Sequence, residues 1–165
     1  MKTIVQKIHL ELNHSFSCKH YETPFFETNW HKHDEHELIL ITAGSGNALI
    51  GDYIGEYVVG DIFFIASNLP HWFRKSHAKM IGSAVVIHFS KNIFGDVLLS
   101  IPEMKNIALL LQKNNGLQFE KKAKKEIADA ILAIEIAEGF QRFNLLLQSL
   151  YKISTAYKHH LLTAN

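Results

Sequence analysis

The sequence predicts a mainly β chain of the α+β class, with an antiparallel β-barrel and N-terminal arm over residues 1–99 and a helical segment over residues 100–165. Three observations predict it. Short apolar runs separated by glycine turns fill the chain as far as Phe89. From Ser100 onward the apolar residues recur at helical spacing instead. Between Trp30 and Gly44, three imidazoles and three carboxylates lead straight into an unbroken apolar strand, as in the wall of a small barrel with a polar mouth.

Taken in order, Lys7 to Leu12 alternates with Ile8, Leu10 and Leu12 on one face and predicts a half-buried strand. Asn13 to Tyr21 is polar and reads as irregular. Tyr21 to Trp30 is aromatic and broken by Pro24, so it predicts an edge strand or an arm over the barrel. Glu37 to Ala43 is the strongest strand, and Gly44 and Gly46 predict a hairpin into Ala48-Leu49-Ile50. Turns at Gly51-Asp52 and Gly60-Asp61 precede the run Ile62 to Ile65. Pro70 sets up His71, which opens the next strand, and Met80 to Phe89 is the last. Ser100-Ile101-Pro102-Glu103 has the pattern of a capping box. Helices follow, one stopped by Asn114-Asn115-Gly116, one between Glu120 and Glu138, and one from Phe140 to Tyr157. The order is all strand, then all helix.

Composition bounds the function. The chain has 165 residues, 47% of them hydrophobic, enough for a real core. Lys and Arg total 17 against 16 for Asp and Glu, so no overall positive field exists to hold nucleic acid. Lys121, Lys122, Lys124 and Lys125, flanked by Glu120 and Glu126, read as a solvated helix face. The single cysteine, Cys18, excludes an internal disulfide and suits a reducing compartment as an inert thiol. Neither a signal-peptide core nor a run long enough to cross a bilayer is present, so a cytoplasmic location without a membrane partner is expected.

Strand alternation places His31, His33, Glu37, Ile39 and Ile41 on one face, although parity alone admits Glu35 as well as Glu37. With His71 after its turn, these make a three-histidine, one-carboxylate set of a kind that suits zinc, iron, nickel or manganese. The plainer reading is a hydrogen-bonded polar cluster lining a ligand pocket. On it no cofactor is required, and a divalent transition metal is the alternative. Trp72, Trp30 and Phe63 are stacking candidates that serve equally as core. His88 reads as a satisfied core histidine, and His159 and His160 as surface residues.

The spacing from His31 through His33 and Glu37 to Gly44 is that of the first cupin motif. Gly60 and His71 stand at two positions of the second, while Ala66, Asn68 and Lys75 depart from it. Together with Trp30, Leu38, Gly46, Ile50-Gly51-Asp52, Asn68-Leu69-Pro70-His71, Ile101-Pro102-Glu103 and Gly116-Leu117-Gln118-Phe119, the chain resembles the N-terminal sensor domain of AraC-type transcriptional regulators.

That resemblance implies a cupin-like barrel, a double-stranded β-helix, which binds a small effector through His31, His33, Glu37, His71 and Trp72. It also implies a homodimer held by helices. The stripe Phe143, Leu146, Leu147, Leu150 and Tyr151 is the candidate contact, its alternative being a helix packed only within its own chain. DNA would be read only by a helix-turn-helix domain expected beyond residue 165. The rival reading is a metal-dependent cupin enzyme, a dioxygenase or sugar isomerase, with His31, His33, Glu37 and His71 on the ion. A third is a stand-alone dimerising binding protein.

Overall fold

The structure is a computed structural model that describes residues 2–119, 121–156 and 159–162, with residues 121–123 and 159–161 described by backbone alone. Its first nine strands are β1 (Ile4–Val5), β2 (Phe16–Glu22), β3 (His31–Lys32), β4 (Glu35–Ala43), β5 (Gly46–Ile50), β6 (Tyr53–Tyr57), β7 (Ile62–Ile65), β8 (His71–Lys75) and β9 (Ser83–Ser90). Helices α1 (Gly95–Leu99) and α2 (Lys105–Leu111), strand β10 (Leu117–Phe119), helices α3 (Lys121–Ile136) and α4 (Gly139–Thr155), and strand β11 (His159–Leu161) complete it. Two sheets form the cupin-like barrel. One has the order β1-β3-β8-β5-β6, and the other β11-β10-β7-β4-β9-β2.

The continuous apolar run of β4 is explained by burial on both of its faces. Ile39 and Ile41 point between the sheets, into a core with Ile50, Phe63, Phe73 and Val86. Leu38 and Leu40 point the other way and join Ile107, Ile127, Ile131, Leu146 and Leu150 of the helices. Each such side chain contributes roughly 1.5–3 kcal/mol on burial. The larger sheet therefore shares one core with the helical segment.

Several expected elements are corrected. Lys7 to Leu12 is not a strand, and Leu10 and Leu12 are exposed; the arm pairs instead through Ile4 and Val5, parallel to β3. The polar stretch expected to be irregular contains β2, which pairs along β9 from Phe16 opposite Phe89 to Glu22 opposite Ser83. A full-length partner ladder overrides weak local preference there. No hairpin joins β4 to β5. β4 pairs with β7 and β9, whereas β5 pairs with β6 and β8, so the chain changes sheets at Gly44. A Cβ on Gly44, whose φ is +85°, would lie 2.7 Å from the Ile81 carbonyl oxygen, and one on Gly46 would lie 1.9 Å from that of Arg74. Both glycines are needed for the close crossing.

Ser100 does not open a helix. It closes α1, its amide donating to Asp96 and its hydroxyl to Val97, and the chain re-enters through a single 3-10 turn at Pro102–Met104. Nor is the order all strand, then all helix, because β10 and β11 return to extend the larger sheet beside β7. Lys124 is not simply solvated, since its ammonium donates to the buried Asp61 carboxylate and ties α3 to the corner before β7. In α4, Leu146 and Leu150 are wholly buried in the chain's own core, with Phe143 and Leu147 packed against it. Of the expected dimer stripe only Tyr151 is free on the surface, at 52% exposure. The reason is the second buried face of β4, which those leucines cover. Cys18 is half-buried, and burial pushes its thiol up to about 11, as an inert thiol requires. Glu120, the side chains of Lys121 and Lys122, Tyr157, and the side chains of His159 and His160 lie outside the described residues. Among the described residues no helix is long and apolar enough to cross a membrane.

Candidate functional site

Strand register assembles the polar cluster. His31 on β3 lies opposite His71 on β8, and Glu37 on β4 lies opposite His88 on β9. His33, in the corner between β3 and β4, completes it. Parity left Glu35 open; Glu37 is the inward carboxylate, while Glu35 is only half-buried and offers its carbonyl to His33 Nδ1 at 3.0 Å.

Every imidazole of the expected set is anchored at Nδ1 by a main-chain carbonyl: His31 by Asn29 at 2.7 Å, His33 by Glu35, and His71 by Leu69 at 2.8 Å. A carbonyl only accepts, so Nδ1 carries the proton and Nε2 is turned inward. Glu37 Oε2 receives His33 Nε2 at 2.7 Å, with His71 Nε2 at 2.9 Å and His88 Nε2 at 3.5 Å. His33 stands between two acceptors. Burial disfavours its charged ring, but the hydrogen bond and charge of Glu37, with Glu35 behind, lift its pKa above the ordinary value. Burial would raise the Glu37 carboxyl; the neighbouring His71 and His88 rings and the hydrogen bond from His33 outweigh it and hold Glu37 well below the usual carboxylate range. Burial, then the neighbouring His71, lowers His31 to about 4.

The set also fits a metal. One donor atom from each of His31, His33, Glu37 and His71 lies within 4.8 Å of the others, and all four residues are buried. Nδ1 anchoring by carbonyls is the supporting arrangement that metal-ligating imidazoles require.

Beside the cluster, between the sheets, lies a cavity of about 140 Å³. Ile39, Phe73, Ala84 and Val86 wall it, Gln6, Tyr21, Phe25, Phe26 and Thr28 border it, and Glu37 and His88 form its polar end. Phe26 is buried whereas Phe25 is 76% exposed, which puts Phe25 at the mouth. The aromatic segment thus borders the pocket, as an arm over the barrel would.

The predicted site residues divide. His31, His33, Glu37 and His71 come together, but of these Glu37 alone lines the cavity. Trp72 is not in the site. It follows His71 on β8 and so points to the opposite face, under the Arg74 guanidinium at 5.1 Å. His36 also leaves the cluster, stacking on Phe64 on the helix side, where it accepts the Ser67 amide and burial lowers it to about 4. His88 is the residue that sequence reasoning missed as a site group. Its signal was parity: Ala84, Val86 and His88 share one face of an otherwise apolar strand. It is satisfied, as expected, by Ser17 Oγ at 3.3 Å together with Glu37.

Residues 13–134 match the family described as the AraC-like ligand binding domain. The chain belongs to that family. Two structures of ToxT from Vibrio cholerae O395 are similar over 92% of this chain. One, bound to (E)-4-(8-methylnaphthalen-1-yl)but-3-enoic acid, has a TM-score of 0.56 at 15% identity and is covered over 61% of its length. The other has a TM-score of 0.53 at 10% identity and is covered over 58%. A cupin 2 conserved barrel domain protein from Rhodopseudomonas palustris matches at a TM-score of 0.42 and 19% identity, over 50% of this chain and 57% of that one. The chain therefore spans less than two thirds of the length of these structures. No curated protein matches.

Proposed function

We propose that this chain is the effector-sensing part of an AraC-type transcriptional regulator, not an enzyme, and that it binds a small molecule inside the barrel and controls an attached helix-turn-helix domain. The cavity between the sheets, apolar along much of its wall and polar at Glu37 and His88, carries the reading. The ligand held by ToxT, a family-type regulator of the same fold, supports it. Signalling would be a shift between arrangements of barrel and helices. A hydrogen-bonded chain is in place for it. Thr42 Oγ1 meets Ser83 Oγ at 2.7 Å, Ser83 meets His20 Nε2 at 2.6 Å, and His20 Nδ1 meets Glu135 on α3 at 3.2 Å. Ser83 and His20 directly adjoin Ala84 and Tyr21 of the cavity wall.

Two copies would pair through the apolar side chains that α3 and α4 leave exposed: Leu132, Ile136, Phe140 and Tyr151. Sedimentation at micromolar concentration should give a dimer that Ile136→Glu with Phe140→Glu converts to monomer. A wild-type chain that stays monomeric contradicts the pairing.

The carbonyl-anchored imidazoles favour a second reading, in which His31, His33, Glu37 and His71 hold a divalent transition metal. Such an ion would supply Lewis acidity and an open coordination position. Ion content of the chain purified without a histidine tag separates the readings, one tightly held ion per chain supporting the second.

A further inference from the structure

On the sensor reading, we propose that the cavity selects a single-ring aromatic amine, its ring against Phe26, Ile39, Phe73 and Val86 and its amine on the Glu37 carboxylate beside His88. Size comes first. A cavity of about 140 Å³ is on the scale of the roughly 150 Å³ apolar cavity that holds benzene, too small for a fused polycycle or a lipid chain. The walls come second. Phe26 and Phe73 supply aromatic faces, and Ile39, Ala84 and Val86 supply no hydrogen-bonding side chain at all, so a ring is matched there. A sugar of similar volume would turn most of its hydroxyls toward those walls and leave them unpaired, Gln6 and Tyr21 being the further polar side chains of the lining.

The head group is set by Glu37. His33, His71 and His88 all approach its Oε2. Oε1 takes none of these contacts, on a side chain that lines the cavity. A carboxylate oxygen only accepts, so the matching head donates, and a charged amine is held more strongly than a neutral donor. A carboxylate head would meet Glu37 as a like charge. Thr28 Oγ1, buried without a partner in the same lining, gives a second polar contact. His88, outside the histidine set of the motif, becomes a ligand-facing residue.

Calorimetric titration of the chelator-treated chain with benzylamine, benzyl methyl ether, benzoate and xylose tests this. Benzylamine should bind roughly tenfold or more tighter than the ether, which has the same ring without a donor. Benzoate and xylose should show no heat of binding. Glu37→Gln should bring benzylamine down to the level of the ether while leaving the ether unchanged, and Ala84→Leu, which fills the cavity, should abolish both. Equal affinity for amine and ether, or preference for benzoate, overturns the amine assignment while leaving the cavity as a ligand site. Binding of none of the four by the wild-type chain overturns the assignment together with the cavity reading beneath it.

Discussion

Replacing Glu37 by leucine should lower unfolding stability by roughly 3–5 kcal/mol, the cost expected when one partner of a buried charged pair is removed. The carboxylate is buried and faces three imidazole nitrogens through a single oxygen. Leucine leaves His33 with an inward N–H and no acceptor, so the ring must either stay charged without a partner or give up its proton. Glu37→Gln should cost less, because an amide oxygen still accepts from His33. Urea midpoints of the two variants check this. Leucine at wild-type stability would mean that the cluster is not held by the carboxylate.

Acidification should destabilise the fold between about pH 6.5 and 4, and His36→Leu should flatten that fall. His31 and His36 are buried with folded pKa values of about 4 against an ordinary 6.5. In that window the unfolded chain binds the proton and the folded chain does not, so stability is complete above pH 6.5 and falls toward pH 4. Each ring contributes about 3 kcal/mol. Glu37 acts in the same direction at lower pH: its stabilisation is present above the ordinary carboxylate pKa and is lost as pH falls through its depressed one. His33, raised, acts oppositely, stabilising below pH 6.5 and losing that contribution as pH rises through its folded pKa. His36 isolates one share, since it sits against Phe64 and Phe89 away from the cluster. Denaturation at pH 7 and pH 4.5 reads the slope. An unchanged slope in His36→Leu would place the pH dependence elsewhere.

Much of the fold was legible because β4 and its neighbours are apolar enough to be strands in any context. The metal-type set was legible from the motif spacing of His31, His33, Glu37 and His71, but the single strand face expected for the first three is corrected: His31 stands on β3 of one sheet, Glu37 on β4 of the other, and His33 in the corner between them. What could not be read were features decided by partners distant in the chain. β2 has polar residues at strand positions and exists because β9 offers it a full ladder. Gly44 and Gly46 look like hairpin residues, yet they serve a crossing whose tightness depends on Ile81 and Arg74. Leu146 and Leu150 look like an interface stripe because nothing local shows that the far face of β4 needs covering. Trp72 and His88 exchanged roles for a simpler reason. One step along β8 takes Trp72 out of the site, and even parity on β9 brings His88 in.

Binding in the space between the sheets is tested most directly by amide and methyl chemical shifts of the labelled chain titrated with single-ring aromatic compounds. Saturable shifts should centre on Ile39, Ala84, Val86 and His88, with smaller changes reaching α3 near Glu135. Shifts confined to the exposed faces of the helices, with Ile39, Ala84 and Val86 unmoved, would contradict it.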